Sequence, residues 1–134
     1  MQTFLPESTF ALAVSRLDSR RLGKQRIEAM QILKALADPS YGWQHHPAVR
    51  MWRGWEANLR GYLNLCIHEW IYRGFNNTMS FANNFCYDAP PWLTEDFVQS
   101  HRSNLLRKAP DWYGQFDWDV PNDLPYVWPK GDLQ

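Results

Sequence analysis

Apolar side chains recur at steps of three and four residues along two long stretches of this 134-residue chain. Such steps place side chains on one face of an α-helix, and that face is normally buried. For residues 18–37 the expected buried stripe is Leu22, Ala29, Met30, Leu33 and Leu36 or Ala37. For residues 48–73 it is Trp52, Trp55, Leu59, Tyr62, Leu63, Cys66 and Trp70. Two stripes of this kind predict a core made of helices.

Capping residues and prolines limit the predicted helices. A short helix is expected over FALAVSRL (10–17), and Asp18 or Ser19 caps a longer one that runs to about Ala37. Pro47 opens a third helix that continues without a break to Gly74, and Thr94 caps a fourth that covers 94–108.

The remaining segments carry no helical pattern. Residues 1–6 have extended character, the Asn-rich residues 75–91 indicate a loop, and the Trp- and Asp-rich residues from Ala109 onward look irregular. We therefore predict an all-α fold. It is a compact single domain spanning residues 1–134, with three to four helices, an extended N-terminus and an irregular aromatic tail.

The composition is unusually aromatic, with eight Trp, six Tyr and seven Phe. Such rings stabilise a small core, and they also stack on nucleic-acid bases. No run of eighteen apolar residues and no signal-peptide pattern is present, so a cytoplasmic protein is expected. Cys66 and Cys86 lack metal-ligand spacing and predict free thiols, and adjacent His45 and His46 do not suggest a metal pair.

The formal net charge is zero, but the charges are unevenly distributed. The basic residues of segment 16–34 are Arg16, Arg20, Arg21, Lys24, Arg26 and Lys34, against Asp18 and Glu28. The acidic residues of segment 111–132 are Asp111, Asp117, Asp119, Asp123 and Asp132, against Lys130. This distribution predicts that one end of the chain attracts a polyanion.

Glu28 lies among these cations, on the helix face that carries Arg21 and Lys24. One interpretation is a solvated helix with a weak Lys24–Glu28 pair. The other is a phosphate-binding ridge in which one carboxylate serves general acid/base chemistry. The spacing alone leaves both interpretations open.

Three further segments contain residues with a candidate role. In WQHHPAVRMWRG (43–54), Arg50 and Trp52 suit either DNA contact or core packing, and His46 suits a proton shuttle or a structural hydrogen bond. HRSNLLRK (101–108) is a possible second phosphate contact. DLPYVWP (123–129) is expected to cover the core with Tyr126 and Trp128.

Four segments, in order, resemble the pyrimidine-dimer DNA glycosylase family of the bacteriophage endonuclease V type. They are MQTFLP (1–6), LDSRRLGKQRIEAMQIL (17–33), IHEWIYRGFNNT (67–78) and LLRKAPDWYGQF (105–116). The chain looks like a divergent, cellular-type branch, since Ile27 and Gln31 stand where the family carries arginines and Arg21 where it carries a histidine.

The resemblance implies a DNA glycosylase with AP-lyase activity, which extrudes a base from kinked duplex DNA and needs no metal or cofactor. It implies an N-terminus threaded between three main helices, Glu28 as the catalytic carboxylate and a partner that is double-stranded DNA with damaged or modified pyrimidines. We expect a monomer associated with the nucleoid. The expected DNA-contacting residues are Arg20, Arg21, Lys24, Arg26, Gln31, Arg50, His101, Arg102, Arg107, Lys108, Trp112 and Tyr113.

The family's nucleophile is the N-terminal α-amine, which attacks the sugar C1′. An ordinary α-amine is roughly a tenth neutral at pH 7, whereas an ordinary lysine is neutral only about 0.04% of the time. Because Gln2 is too large for ordinary methionine removal, we expect Met1 to be retained and its amine to act. Exposed Gln2 would be the nucleophile if Met1 were removed, although it could then cyclise. Lys24, surrounded by cations, is the alternative.

Two non-enzymatic functions stay open at this point. In the first, the chain binds kinked or modified duplex DNA without cleaving it. In the second, its basic helix binds an acidic protein partner. Salt-dependent DNA binding without strand scission would indicate the first, and failure to bind duplex at low salt the second.

Overall fold

A computed structural model describes residues 1–129, which form six α-helices and one 3₁₀-helix. They are α1 (Phe10–Arg16), α2 (Ser19–Ala37), α3 (Pro47–Trp52), α4 (Glu56–Tyr72), α5 (Glu95–Lys108), α6 (Pro110–Tyr113) and the 3₁₀-helix Gly114–Phe116. No strand occurs among these residues. The all-α prediction is confirmed, with more helices than expected. Asp132 and Lys130, part of the predicted charge distribution, lie outside the described residues.

The predicted helix caps form as the sequence indicated. Asp18 accepts a hydrogen bond from the Arg21 N–H at the start of α2, and Thr94 accepts one from the Phe97 N–H at the start of α5. A side-chain oxygen at this position satisfies a backbone donor that the first helical turn leaves free. These caps fix where both helices begin.

The single helix predicted from Pro47 to Gly74 is wrong, because the chain breaks between α3 and α4. Gly54 has φ +89°, a left-handed conformation that glycine adopts at low cost, and its N–H donates to Glu56 Oε1 at 2.7 Å. The apolar spacing continues across the break, so periodicity alone did not reveal it. α3 begins after its own N-cap, His46, and α4 begins at Glu56, two residues beyond Gly54.

The buried stripe of α2 differs from the predicted one. The buried residues are Leu22, Gln25, Ala29, Ile32 and Ala35. Met30, Leu33 and Leu36 are half-buried, and Ala37 is exposed. The prediction used apolar residues alone, whereas polar Gln25 is buried because its amide bonds the N-terminal segment. On α4, Trp55 and Trp70 are likewise only half-buried.

Residues 2–5 run extended and buried between the helices. The Gln25 side-chain amide of α2 is both acceptor and donor to this segment. Its Oε1 accepts from the Phe4 N–H and its Nε2 donates to the Gln2 carbonyl, both at 2.8 Å. The Leu5 N–H donates to His101 Nδ1 of α5 at 3.1 Å, and Trp52 Nε1 of α3 donates to Thr3 Oγ1 at 3.0 Å. Three helices therefore fix the position of the chain's first residues.

The tail after α5 is less irregular than predicted, because α6 and the 3₁₀-helix form before the segment without helix or strand begins at Asp117. Cys66 and Cys86 are free thiols, as predicted, and burial raises the pKa of Cys66. Within residues 1–129, no helix has the length and apolar character needed to cross a membrane. Over the same range, no three His, Cys, Asp or Glu side chains group as metal ligands.

Candidate active site

The buried N-terminal segment begins at a cavity of about 730 Å³, which lies between α2, the end of α5 and the C-terminal tail. Its lining residues are Met1, Gln2, Phe4, Arg20, Arg21, Lys24, Gln25, Glu28, His46, Lys108, Tyr126 and Trp128. A cavity of this size can enclose a small organic ligand.

Glu28 lies beside the first residues of the chain. The Gln2 N–H donates to Glu28 Oε2 at 2.8 Å, a bond between residues 26 positions apart in sequence. Neither Glu28 nor the Met1 amine joins an ion pair among residues 1–129, so the Lys24–Glu28 pair considered above does not form there. The carboxylate is thus held by a backbone amide and keeps its second oxygen for other partners.

Four cationic side chains line the same cavity as this carboxylate. Arg20, Arg21 and Lys24 come from the first half of α2, and Lys108 comes from the last turn of α5. Arg21 is partly tethered, with its Nη1 3.3 Å from Asp18 Oδ1. These four predicted DNA-contacting residues line one cavity.

His46 lines the same cavity and also caps α3. Its Nδ1 accepts the Ala48 N–H at 3.0 Å, so Nε2 is the ring nitrogen left for the cavity. Partial burial, followed by the positive charge of the N-terminal amine, lowers the pKa of His46 below its ordinary value. A neutral imidazole whose Nδ1 is an acceptor carries its proton on Nε2, and can donate there.

Three predicted contact residues lie away from the cavity. Arg26 stacks on the Trp70 ring at 4.1 Å and donates to Asn77 Oδ1 at 3.0 Å. Gln31 lines a separate shallow groove of about 420 Å³, which also includes Lys24 and Glu28. Arg50 is half-buried on α3 and is not part of the cavity wall.

His101, Arg102 and Arg107 of α5 all have partners within the protein. His101 is fully buried and stacks on Phe97, and burial lowers its pKa to about 3. Arg102 donates to the Pro6 carbonyl at 2.7 Å and to Glu7 at 2.8 Å. Arg107 donates to the Asn122 carbonyl at 2.7 Å. The DNA contact predicted for His101 is therefore wrong, because a buried neutral ring has no surface that a phosphate could reach.

The Trp112-Tyr113 segment is likewise structural. Tyr113 is fully buried, and its hydroxyl bonds the Asp18 carboxylate that caps α2. Trp112 remains partly exposed, with its Nε1 donating to the Arg16 carbonyl at 2.7 Å. Tyr113 therefore anchors the start of the cationic helix, and its burial rules out the direct DNA contact predicted for it.

Several cavity residues had a weak signal in the sequence or none. Gln25 was not singled out, because a glutamine in an apolar stripe looks like an irregularity. Tyr126 and Trp128 were assigned to covering the core, and they do pack against it, but they also form one wall of the cavity. Their distance in sequence from Glu28 gave no indication of this.

Comparison with known proteins agrees with the resemblance seen in the sequence. A family model described as pyrimidine dimer DNA glycosylase matches residues 1–83, which include the N-terminal segment, α2, α3 and α4. No curated protein and no solved structure matches the chain at a significant level. The match covers well over half of the chain and includes Met1, Lys24 and Glu28, so this chain belongs to the pyrimidine dimer DNA glycosylase family.

Proposed function

We propose that the chain is a DNA glycosylase with AP-lyase activity, acting on damaged or modified pyrimidines through the Met1 α-amine and Glu28. The observation that carries the proposal is the meeting of the chain's first residues with Glu28, 2.8 Å from the Gln2 nitrogen, in a cavity lined by four cations. Cyclobutane pyrimidine dimers are the substrate that the family suggests.

The first step is displacement of the base. The neutral amine donates its electron pair to C1′ of the nucleotide, and the glycosidic bond breaks with its electrons leaving on the base. Glu28, an anion in a cavity whose lining also includes four cationic side chains, stabilises the positive charge that develops on the sugar. The departing base takes up a proton.

The second step cleaves the strand. The amine at C1′ becomes a Schiff base as the sugar ring opens. Glu28 accepts and donates the protons that this step requires. Removal of a proton from C2′ then expels the 3′-phosphate by β-elimination. Water later hydrolyses the imine and returns the free amine.

The cations have a separate role in binding. Arg20, Arg21, Lys24 and Lys108 line the cavity. There they neutralise phosphates that flank an extruded nucleotide. Such contacts position the duplex and carry no base specificity of their own.

The state of the first residue decides which nitrogen reacts. With Met1 retained, the Gln2 nitrogen is an amide that orients Glu28, and the reactive amine lies one residue further out. Were Met1 removed, the Gln2 amine itself would be beside Glu28. Intact mass of the purified chain, which differs by one methionine, distinguishes these two forms.

Borohydride trapping on a duplex with one abasic site tests the proposal. The expected result is a stable protein–DNA adduct whose peptide map places the DNA on the Met1 amine, and its loss when that amine is acetylated. An adduct on Lys24 would move the nucleophile and keep the activity. Binding without an adduct or strand scission would indicate a non-catalytic DNA-binding protein instead.

A further inference from the structure

The cavity has two chemically different walls. The wall from α2 carries Arg20, Arg21, Lys24 and Glu28, whereas the wall from the C-terminal tail carries Tyr126 and Trp128. The two tail rings lie with their centroids 6.0 Å apart and their planes inclined at 50°, and both are half-buried. A planar ligand can therefore stack on one ring and meet the other with its edge. Two large rings that face a cavity lined by charged groups remain available to a planar ligand.

Hydrogen bonds from α5 fix the tail that carries these rings. The Leu124 N–H donates to Ser103 Oγ at 2.9 Å, and the Leu124 carbonyl accepts from Asn104 Nδ2 at 3.1 Å. The Val127 N–H donates to Ser100 Oγ at 3.1 Å. Ser100, Ser103 and Asn104 share one face of α5, so the backbone is held on both sides of Tyr126.

Packed side chains also hold the Tyr126 ring in place. The buried His101 ring contacts Tyr126 at 5.2 Å between centroids and stacks on Phe97 at 4.2 Å. His101 is in turn fixed by the Leu5 N–H. Burial raises the pKa of Tyr126, which keeps its hydroxyl protonated and able to donate at neutral pH.

We propose that Tyr126 and Trp128 form a stacking platform for one planar nucleobase extruded from the duplex. The proposal rests on the proposed function for its DNA substrate and deepens it, because it names the group that the cavity receives. Aromatic side chains stack on the π-face of any base, and the α2 cations then lie on the side where the phosphates of that nucleotide would be. Both rings lie in the tail, outside the matched residues 1–83.

Binding measurements with the full chain test the platform without requiring catalysis. One duplex carries a single bulged thymine, which is cheap to extrude, and the other carries a tetrahydrofuran residue, which has no base, at the same place. Stacking predicts about 5- to 150-fold tighter binding of the thymine duplex. Trp128→Leu and Tyr126→Leu should each bring the ratio toward one, while Trp128→Phe retains most of it.

Val127→Ala, between the two rings in sequence, is the matched control and should leave the ratio unchanged. A wild-type ratio of one, or a ratio that survives both leucine variants, would overturn the platform. Because no bond is broken, an absent Schiff-base adduct would refute the proposed chemistry while leaving this ratio measurable.

A fluorescent base makes the test independent of the variants' folding. A 2-aminopurine replaces the bulged thymine, and the wild-type chain is added to saturation. Stacking on Tyr126 and Trp128 should quench its emission below that of the free bulged duplex. A rise in emission, typical of an extruded base without a stacking partner, would contradict the platform.

Discussion

The position of the Glu28 carboxylate depends on a hydrogen bond to a residue that is distant in sequence. Its neighbours on α2 are cations, yet its partner is the backbone N–H of Gln2 at 2.8 Å. A Glu28→Gln substitution keeps an oxygen that can accept this bond. It therefore removes the charge and preserves the geometry.

Glu28→Gln should lower the rate of base release by about 100-fold or more, the scale at which acid/base groups contribute. Duplex binding should be unchanged or tighter, because an anion leaves a cation-lined cavity. Single-turnover rates and binding isotherms measure the two effects. Glu95→Gln, at the opposite end of α5 from Lys108, is the control; normal base release by Glu28→Gln would remove its assigned role.

His101 makes a second prediction at this scale, through pH. Burial lowers its pKa from the ordinary 6.5 to about 3, so between these values the unfolded chain binds a proton that the folded chain does not. Stability is therefore lost as the pH falls through this window. At pH 4.5 the loss from His101 amounts to about 2 to 3 kcal/mol.

Urea unfolding at pH 7 and pH 4.5 measures this loss. His101→Gln, whose side chain can still accept from the Leu5 N–H, should show a smaller decrease in stability than the wild-type chain. His45→Gln, at an exposed position, should keep the wild-type pH dependence. Equal pH dependence in all three chains would contradict the burial argument.

Between elements, side chains of the helices fix the irregular segments by hydrogen bonds to their backbone. The polar face of α4 binds the loop 75–91: Asn64 bonds Ala82 in both directions, and Arg60 donates to the Asn84 carbonyl at 3.0 Å. Gly61 lies where the loop comes closest, since a Cβ there would be 2.1 Å from the Cys86 carbonyl oxygen.

Gly61→Ala should therefore destabilise the fold, by about 1 to 3 kcal/mol or more, because the clash is with backbone and no side-chain rotation relieves it. Thermal or urea unfolding measures the change. Gly42→Ala is the matched control, since its added Cβ would meet no atom within 4 Å. A Gly61→Ala variant as stable as wild type would show that the loop does not pack closely on α4.

Across the whole molecule, charge is separated although the net charge is zero. The four cavity cations come from two helices and face one region, whereas Arg26, Arg102 and Arg107 are engaged by protein groups. The number of phosphates that this surface can neutralise is accordingly smaller than the number of basic residues.

Four contacts predict that log K for duplex binding falls with log salt at a slope of about −3.6. Lys108→Gln should reduce the magnitude of that slope by about 0.9, and Arg60→Gln, on α4, should leave it unchanged. Titrations at several salt concentrations measure the slopes. A slope near zero would favour a protein partner over DNA.

The sequence by itself determined the helical class, the caps at Asp18 and Thr94, and the placement of Glu28 among cations. These follow from spacing and from local capping chemistry, which act within a few residues. Only the tertiary structure decided that Gln25 is buried, that Gly54 breaks a helix, that His101 and Tyr113 are structural, and that Tyr126 and Trp128 form a cavity wall. Each of these depends on contacts between segments distant in sequence or on a backbone geometry that packing selects, and local periodicity contains no information about either.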